Sequence, residues 1–171
     1  QLIVSLPRGL QRLLLSCTAA ENDRETLTLH NTAGTTLPPT LTELEITLHD
    51  IHASWFSDLP ATLTALSIHL PSHISPETFA SLRDSHVKRL DISYFSTRHT
   101  ILIPMSELAP ILPRKLVSFE LSTRSNQVTT DLEDAHVSLL PRGLIVFDTP
   151  FSPKLSSDAL KALPYYQPSP K

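Results

Sequence analysis

The sequence predicts an α/β solenoid, a stack of short strands in one parallel sheet with short helices or turns on the segments between them. Three observations predict it. One apolar motif recurs six times in order along 171 residues, each time after a Leu-Pro or its equivalent. The segments between copies carry helix-start signals. The composition, 15 prolines against only 3 glycines, disfavours folds built on glycine hairpins or phosphate loops and gives proline a repeated local task. With 40% apolar and 18% charged residues the chain is globular, and its length suits one continuous core.

The motif is Leu-Pro, two residues, an apolar residue, two more, an apolar residue, one more, and an apolar residue. The first copy is Leu6-Pro7 with Leu10, Leu13 and Leu15; the second is Leu37-Pro38 with Leu41, Leu44 and Ile46. Leu59-Pro60 follows with Leu63, Leu66 and Ile68, and then a copy with Asp84 in the proline slot and Val87, Leu90 and Ile92. Leu112-Pro113 leads to Leu116, Phe119 and Leu121, and Leu140-Pro141 to Leu144, Phe147 and Thr149. A last Leu163-Pro164 begins a copy that is never finished. The proline slots are separated by 31, 22, 24, 29, 28 and 23 residues, within the range of repeat architectures. Apolar residues two apart face one side of a strand, and proline disfavours helix in the residue before it. Leu-Pro therefore marks where a returning segment stops and a strand approach begins. Each strand is too short to stand alone and needs the next copy beside it.

The returning segments come next. Ala53–Leu59 and Ser106–Leu112 are short enough for single turns. Ser75-Pro76-Glu77 opens a helix signal with a capping serine, a first-turn proline and an early acid, and Ser156-Ser157-Asp158 opens a similar one. Thr130–Leu140 reads as a third helix. The two longest units hold extra apolar alternation, Leu27 with Leu29 and Ile101 with Ile103, which suits short outer strands.

The run Leu41-Thr42-Glu43-Leu44-Glu45-Ile46 resembles the strand half of a leucine-rich repeat, and the resemblance covers roughly residues 5 to 165. It implies one curved array of about six units over residues 1–171, with the parallel sheet on its concave side, short helices or turns on its convex side, and ligands met on the concave face. The family's asparagine or cysteine after the strand is missing. That slot holds Thr18, His49, Pro71, Phe95, Arg124 and Ser152, so the turns need other partners for their backbone groups and the array should be irregular. Neither end shows a clear polar cap, which leads to the expectation that the chain is part of a longer protein.

The side chains between the buried ones should share the concave face. By copy these are Arg12, Leu14 and Ser16; Glu43, Glu45 and Thr47; Ala65, Ser67 and His69; Arg89, Asp91 and Ser93; Ser118, Glu120 and Ser122; Val146, Asp148 and Pro150. The middle column contains four acids, Glu45, Asp91, Glu120 and Asp148. Strands lie about 4.8 Å apart, so these would form one row, with Glu43, Arg89 and His69 beside it. Such a row suits a basic segment of a protein partner; a solvated polar face is the plainer reading.

Other chemistries find little support. The net charge of −3 argues against a nucleic-acid footprint, and no apolar run is long enough for a membrane span. No phosphate loop, nucleophile elbow or paired-carboxylate motif is visible, so no enzyme activity and no cofactor is expected. His49 with His52, and His69 with His73, have spacings that can bind metal, yet they fall at strand ends without a cysteine cluster; no metal is expected there. Cys17 has no evident activating partner, and one cysteine makes no internal disulfide, in keeping with an intracellular, cytoplasmic setting. Trp55 and Phe56 should fill the core behind the sheet, and Tyr165 and Tyr166 should cover its open end. The function expected is a protein–protein interaction module; the alternative is an architectural subunit packed through its edges and ends.

Overall fold

The six copies form six strands of one parallel sheet. The computed structural model describes residues 6–16, 37–47, 53–70, 76–94, 101–123, 128–150 and 154–163. The strands are β1 (Arg12–Ser16), β2 (Glu43–Thr47), β3 (Ala65–Leu70), β4 (Arg89–Tyr94), β5 (Ile101–Ile103), β6 (Ser118–Thr123), β7 (Val128–Thr130) and β8 (Val146–Asp148). The large sheet runs β1-β2-β3-β4-β6-β8, in chain order and open at both edges, while β5 and β7 pair separately. All pairings are parallel.

The shared motif sets the register. Leu13, Leu44, Leu66, Leu90, Phe119 and Phe147 lie opposite one another on successive strands, and all are buried. Ile46, Ile68, Ile92 and Leu121 form the next inward row. β3 and β4 add a third pair, Leu70 and Tyr94; burial pushes the Tyr94 phenol up to about 12. A slip of one residue would turn these rows to the opposite face, so burial fixes the pairing strongly.

Proline's task is visible in the turns. In five copies its carbonyl accepts the N–H three residues on: Leu10 to Pro7, Leu41 to Pro38, Leu63 to Pro60, Leu116 to Pro113 and Leu144 to Pro141, at 2.9–3.1 Å. The copy with Asp84 closes differently, with Ser85 N–H donating to Leu82 O and Val87 N–H to Ser85 Oγ. Beyond each turn one carbonyl receives two N–H groups from the next copy. Gln11 O accepts from Thr42 and Glu43, Thr42 O from Thr64 and Ala65, and Thr64 O from Lys88 and Arg89. Lys88 O accepts from Val117 and Ser118, and Val117 O from Ile145 and Val146.

Threonine side chains tie successive turns together. Thr40 Oγ1 lies 2.7 Å from Arg8 O and 2.9 Å from Leu10 O, and Thr62 Oγ1 lies 2.7 Å from Pro39 O and 2.8 Å from Leu41 O. Each sits two residues after its Leu-Pro and ties one turn to the turn before it. The slot residues from Thr18 to Ser152 lie outside the described residues, as do Cys17, Leu27, Leu29, His49, His52, His73, Tyr165 and Tyr166.

The returning segments are mostly tight 3-10 turns, at Ala53–Asp58, Pro76–Asp84 and Ala109–Ile111. The α-helices are short: α1 (Met105–Leu108), α2 (Asp134–Val137) and α3 (Ser157–Ala162). The capping serine expected before α3 is present, Ser156 accepting from Ala159 N–H at 3.2 Å. The helix expected from Thr130 needs correction. Thr130 ends β7, and the helix starts only after Glu133, which closes a reciprocal cap with His136. β5 is the expected outer strand of Ile101 and Ile103. Its partner β7 continues into Asp131, which accepts from Met105 and Ser106 N–H and from Ser106 Oγ and so fastens α1 to the outer sheet. Phe56 fills the core as expected, its ring 5.4 Å from that of Phe79; the side chain of Trp55 lies outside the described set.

Candidate functional site

The face of the large sheet opposite the core carries the predicted row. Leu14 lies opposite Glu45, Glu45 opposite Ser67, Ser67 opposite Asp91, Asp91 opposite Glu120, and Glu120 opposite Asp148. Period-two alternation puts them there, because their neighbours on either side are the buried Leu and Ile rows. All four acids are half-buried, and Leu14 is 60% exposed at the β1 end. One assignment needs correction: Pro150, placed on this face by copy, is buried. Copy six has only three strand residues, and beyond Asp148 the alternation no longer applies.

Glu45, His69 and Asp91 are brought together although they come from three copies. His69 Nε2 lies 3.2 Å from Glu45 Oε1, and its Nδ1 meets Ser93 Oγ on the next strand. Ser67 Oγ donates to Asp91 Oδ2 at 3.4 Å, and Ser118 Oγ to Glu120 Oε1 at 3.4 Å. Glu43 is drawn aside by Arg12, 3.4 Å from its Nε; both are substantially exposed, so this pair contributes little to stability. Arg89 is exposed at the start of β4. A depression of about 230 Å³ lies over this part of the face, bounded by Arg12, Glu43, Glu45, Arg89, Asp91 and Glu120. Asp148 extends the row by one strand. The sequence placed Ser93 on this face but gave no local sign that it would meet a histidine 24 residues away.

Asp91 is the electrostatic centre of the row. Burial, and then the charge of Glu120, hold its carboxyl above the usual carboxylate range, against the lowering influence of His69 and Ser67; Glu45 adds to the rise. Its Oδ1 is buried without a hydrogen-bond partner among the described residues. Because the folded value is raised, ionising Asp91 weakens the fold. The penalty is absent below the unfolded carboxylate range and complete above the folded value. Asp91→Asn should therefore raise the urea midpoint at pH 7, with the gain fading towards pH 3. A midpoint lowered at pH 7, or a pH-independent difference, would contradict this assignment.

Among the described residues no group of three or more His, Cys, Asp or Glu is placed to hold a metal ion, and no helix is long and apolar enough to cross a membrane. Comparison with protein-family models, with curated proteins and with solved structures gives no match.

Proposed function

We propose that this chain is a solenoid of the leucine-rich-repeat type that serves as a protein–protein interaction module, offering its concave strand face to a basic segment of a partner protein. One observation carries the reading. Parallel register aligns Glu45, Asp91, Glu120 and Asp148 on one face, and the buried Oδ1 of Asp91 has no donor among the described residues. Asp91, Glu120 and Asp148 stand on adjacent strands, about 4.8 Å apart and so within a Debye length of about 8 Å at physiological salt; they act together on an approaching cation, and Glu45 extends the row beyond Ser67. A partner cation would relieve the mutual repulsion that the row otherwise bears. The acids stand on strands rather than loops, so they are already held in place before a partner arrives. The reading includes no catalytic step and no cofactor.

The test uses a Lys/Arg-rich peptide and a length-matched neutral peptide. Native protein should prefer the basic peptide, with affinity falling as salt rises. Asp91→Asn with Glu120→Gln should weaken that binding roughly threefold to tenfold, equivalent to about 0.7–1.4 kcal/mol. Glu77→Gln with Glu107→Gln, both exposed on returning segments, changes the net charge equally and should leave affinity unaltered. Equal losses in the two pairs would reduce the row to a solvated polar face. A second reading, an architectural subunit packed through its edges, is favoured by the inter-copy ladder, whose two end positions have no backbone partner among the described residues.

A further inference from the structure

Every junction between copies uses the same device, a carbonyl just before the strand that accepts two N–H groups from the following copy. Carried to the two edges of the sheet, this leaves complementary groups over. At the β8 edge Ile145 O occupies the accepting position, and among the described residues nothing donates to it. At the β1 edge the N–H groups of Gln11 and Arg12 occupy the donating positions, and among the described residues nothing accepts from them.

The chain's own next segment lacks the groups to fill the β8 edge in this register. After Leu163-Pro164, Gln167 stands where the other six copies carry an apolar turn residue. Pro168 stands where an N–H must make the first bond to the preceding carbonyl, and Pro170 stands at the first inward strand position. Proline has no N–H to give. β1 has what these residues lack: the Pro7–Leu10 turn bond, two N–H groups with no acceptor among the described residues, and Leu13 to follow Phe147 in the inward row. Apolar side chains flank both edges. Beside β8 an open groove of about 530 Å³ is lined by Val137, Leu140, Leu144 and Leu163 together with the polar Ser138, Arg142 and Lys161, and at the β1 end Leu6, Leu10 and Leu15 are only partly buried.

We infer that two copies of this chain join head to tail, β1 of one adding as a parallel strand to the β8 edge of the other. Ile145 O then accepts from Gln11 and Arg12 N–H, and Arg12, Leu13 and Leu14 lie opposite Val146, Phe147 and Asp148. The join continues an interface the molecule already makes five times, and it does not depend on the acidic row binding a partner. Because the joined surfaces differ, the association is open-ended and adds further copies as concentration rises. One contact opposes it. Arg8 and Arg142 each follow the proline of their turn and would lie one strand spacing apart, so their charges repel.

Sedimentation velocity across a concentration series tests the join. The weight-average mass should rise steadily without stopping at a dimer. A synthetic peptide of residues 6–16 should cap the β8 edge and return the mass towards the monomer, whereas the same peptide N-methylated at Gln11 and Arg12 should not. Arg142→Glu should shift association to several-fold lower concentration by turning the Arg8 repulsion into attraction. Asp91→Asn with Glu120→Gln should leave association unchanged, which separates this result from the fate of the basic-partner reading. A monomer at all concentrations overturns the inference. So does association that ignores both the peptide and Arg142→Glu, because it would then use another surface.

Discussion

Phe119→Ala is expected to cost about 3–5 kcal/mol of folding stability, the largest loss for any single substitution considered. Phe119 is fully buried, one residue into β6. Its ring stacks against that of Phe147 with centroids 5.9 Å apart and planes 28° from parallel, and Leu90 lies opposite on the other side. Truncation opens a cavity that spans two junctions between copies, and it removes an aromatic pair worth about 0.5–1.5 kcal/mol beyond its buried area. A domain of this size holds roughly 5–15 kcal/mol in total, so the variant should lie close to its unfolding threshold. A urea titration with unchanged slope and a much lower midpoint is the expected result. A loss below about 1 kcal/mol would mean that Phe119 is not in the core and that the inward row is misassigned.

Leu66→Ala should follow at about 2–5 kcal/mol. Leu66 is buried on β3, with Leu44 and Leu90 opposite it on the two flanking strands, so one truncation loosens both junctions. In a stack held mainly by neighbour contacts the damage should spread along the sheet. Amide exchange in β2 and β4 should therefore accelerate together with that in β3. The adjacent Ser67→Ala is the control. Ser67 faces the other way and loses only its 3.4 Å bond to Asp91, so its cost should stay below about 1 kcal/mol. Equal effects at the two positions would contradict the alternation on which both the core and the acidic row depend.

The acidic row is legible in the sequence because alternation is a local property. Once Leu44 and Ile46 point inward, Glu45 must point outward, and five parallel pairings in register bring Asp91, Glu120 and Asp148 into line with it. The chemistry within the row was not legible in the same way. His69 reaches Glu45 on one side and Ser93 on the other, each 24 residues away, and Asp91 owes its raised pKa to burial and to Glu120 on a neighbouring strand. Such contacts depend on side-chain reach across copies, which no spacing within one copy encodes.

By itself the sequence determined the six strands, their chain-order stacking and their inward rows, because a period of two and a proline-closed turn act within a dozen residues. Tertiary structure decided the rest. It made Pro76–Asp84 a 3-10 turn, put Thr130 in a strand rather than a helix, and buried Pro150. It also gave Thr40 and Thr62 the carbonyls of the preceding copies. For Thr130, Thr40 and Thr62 the deciding partner lies in another copy, and a short segment with weak local preference takes the conformation that satisfies that partner's backbone.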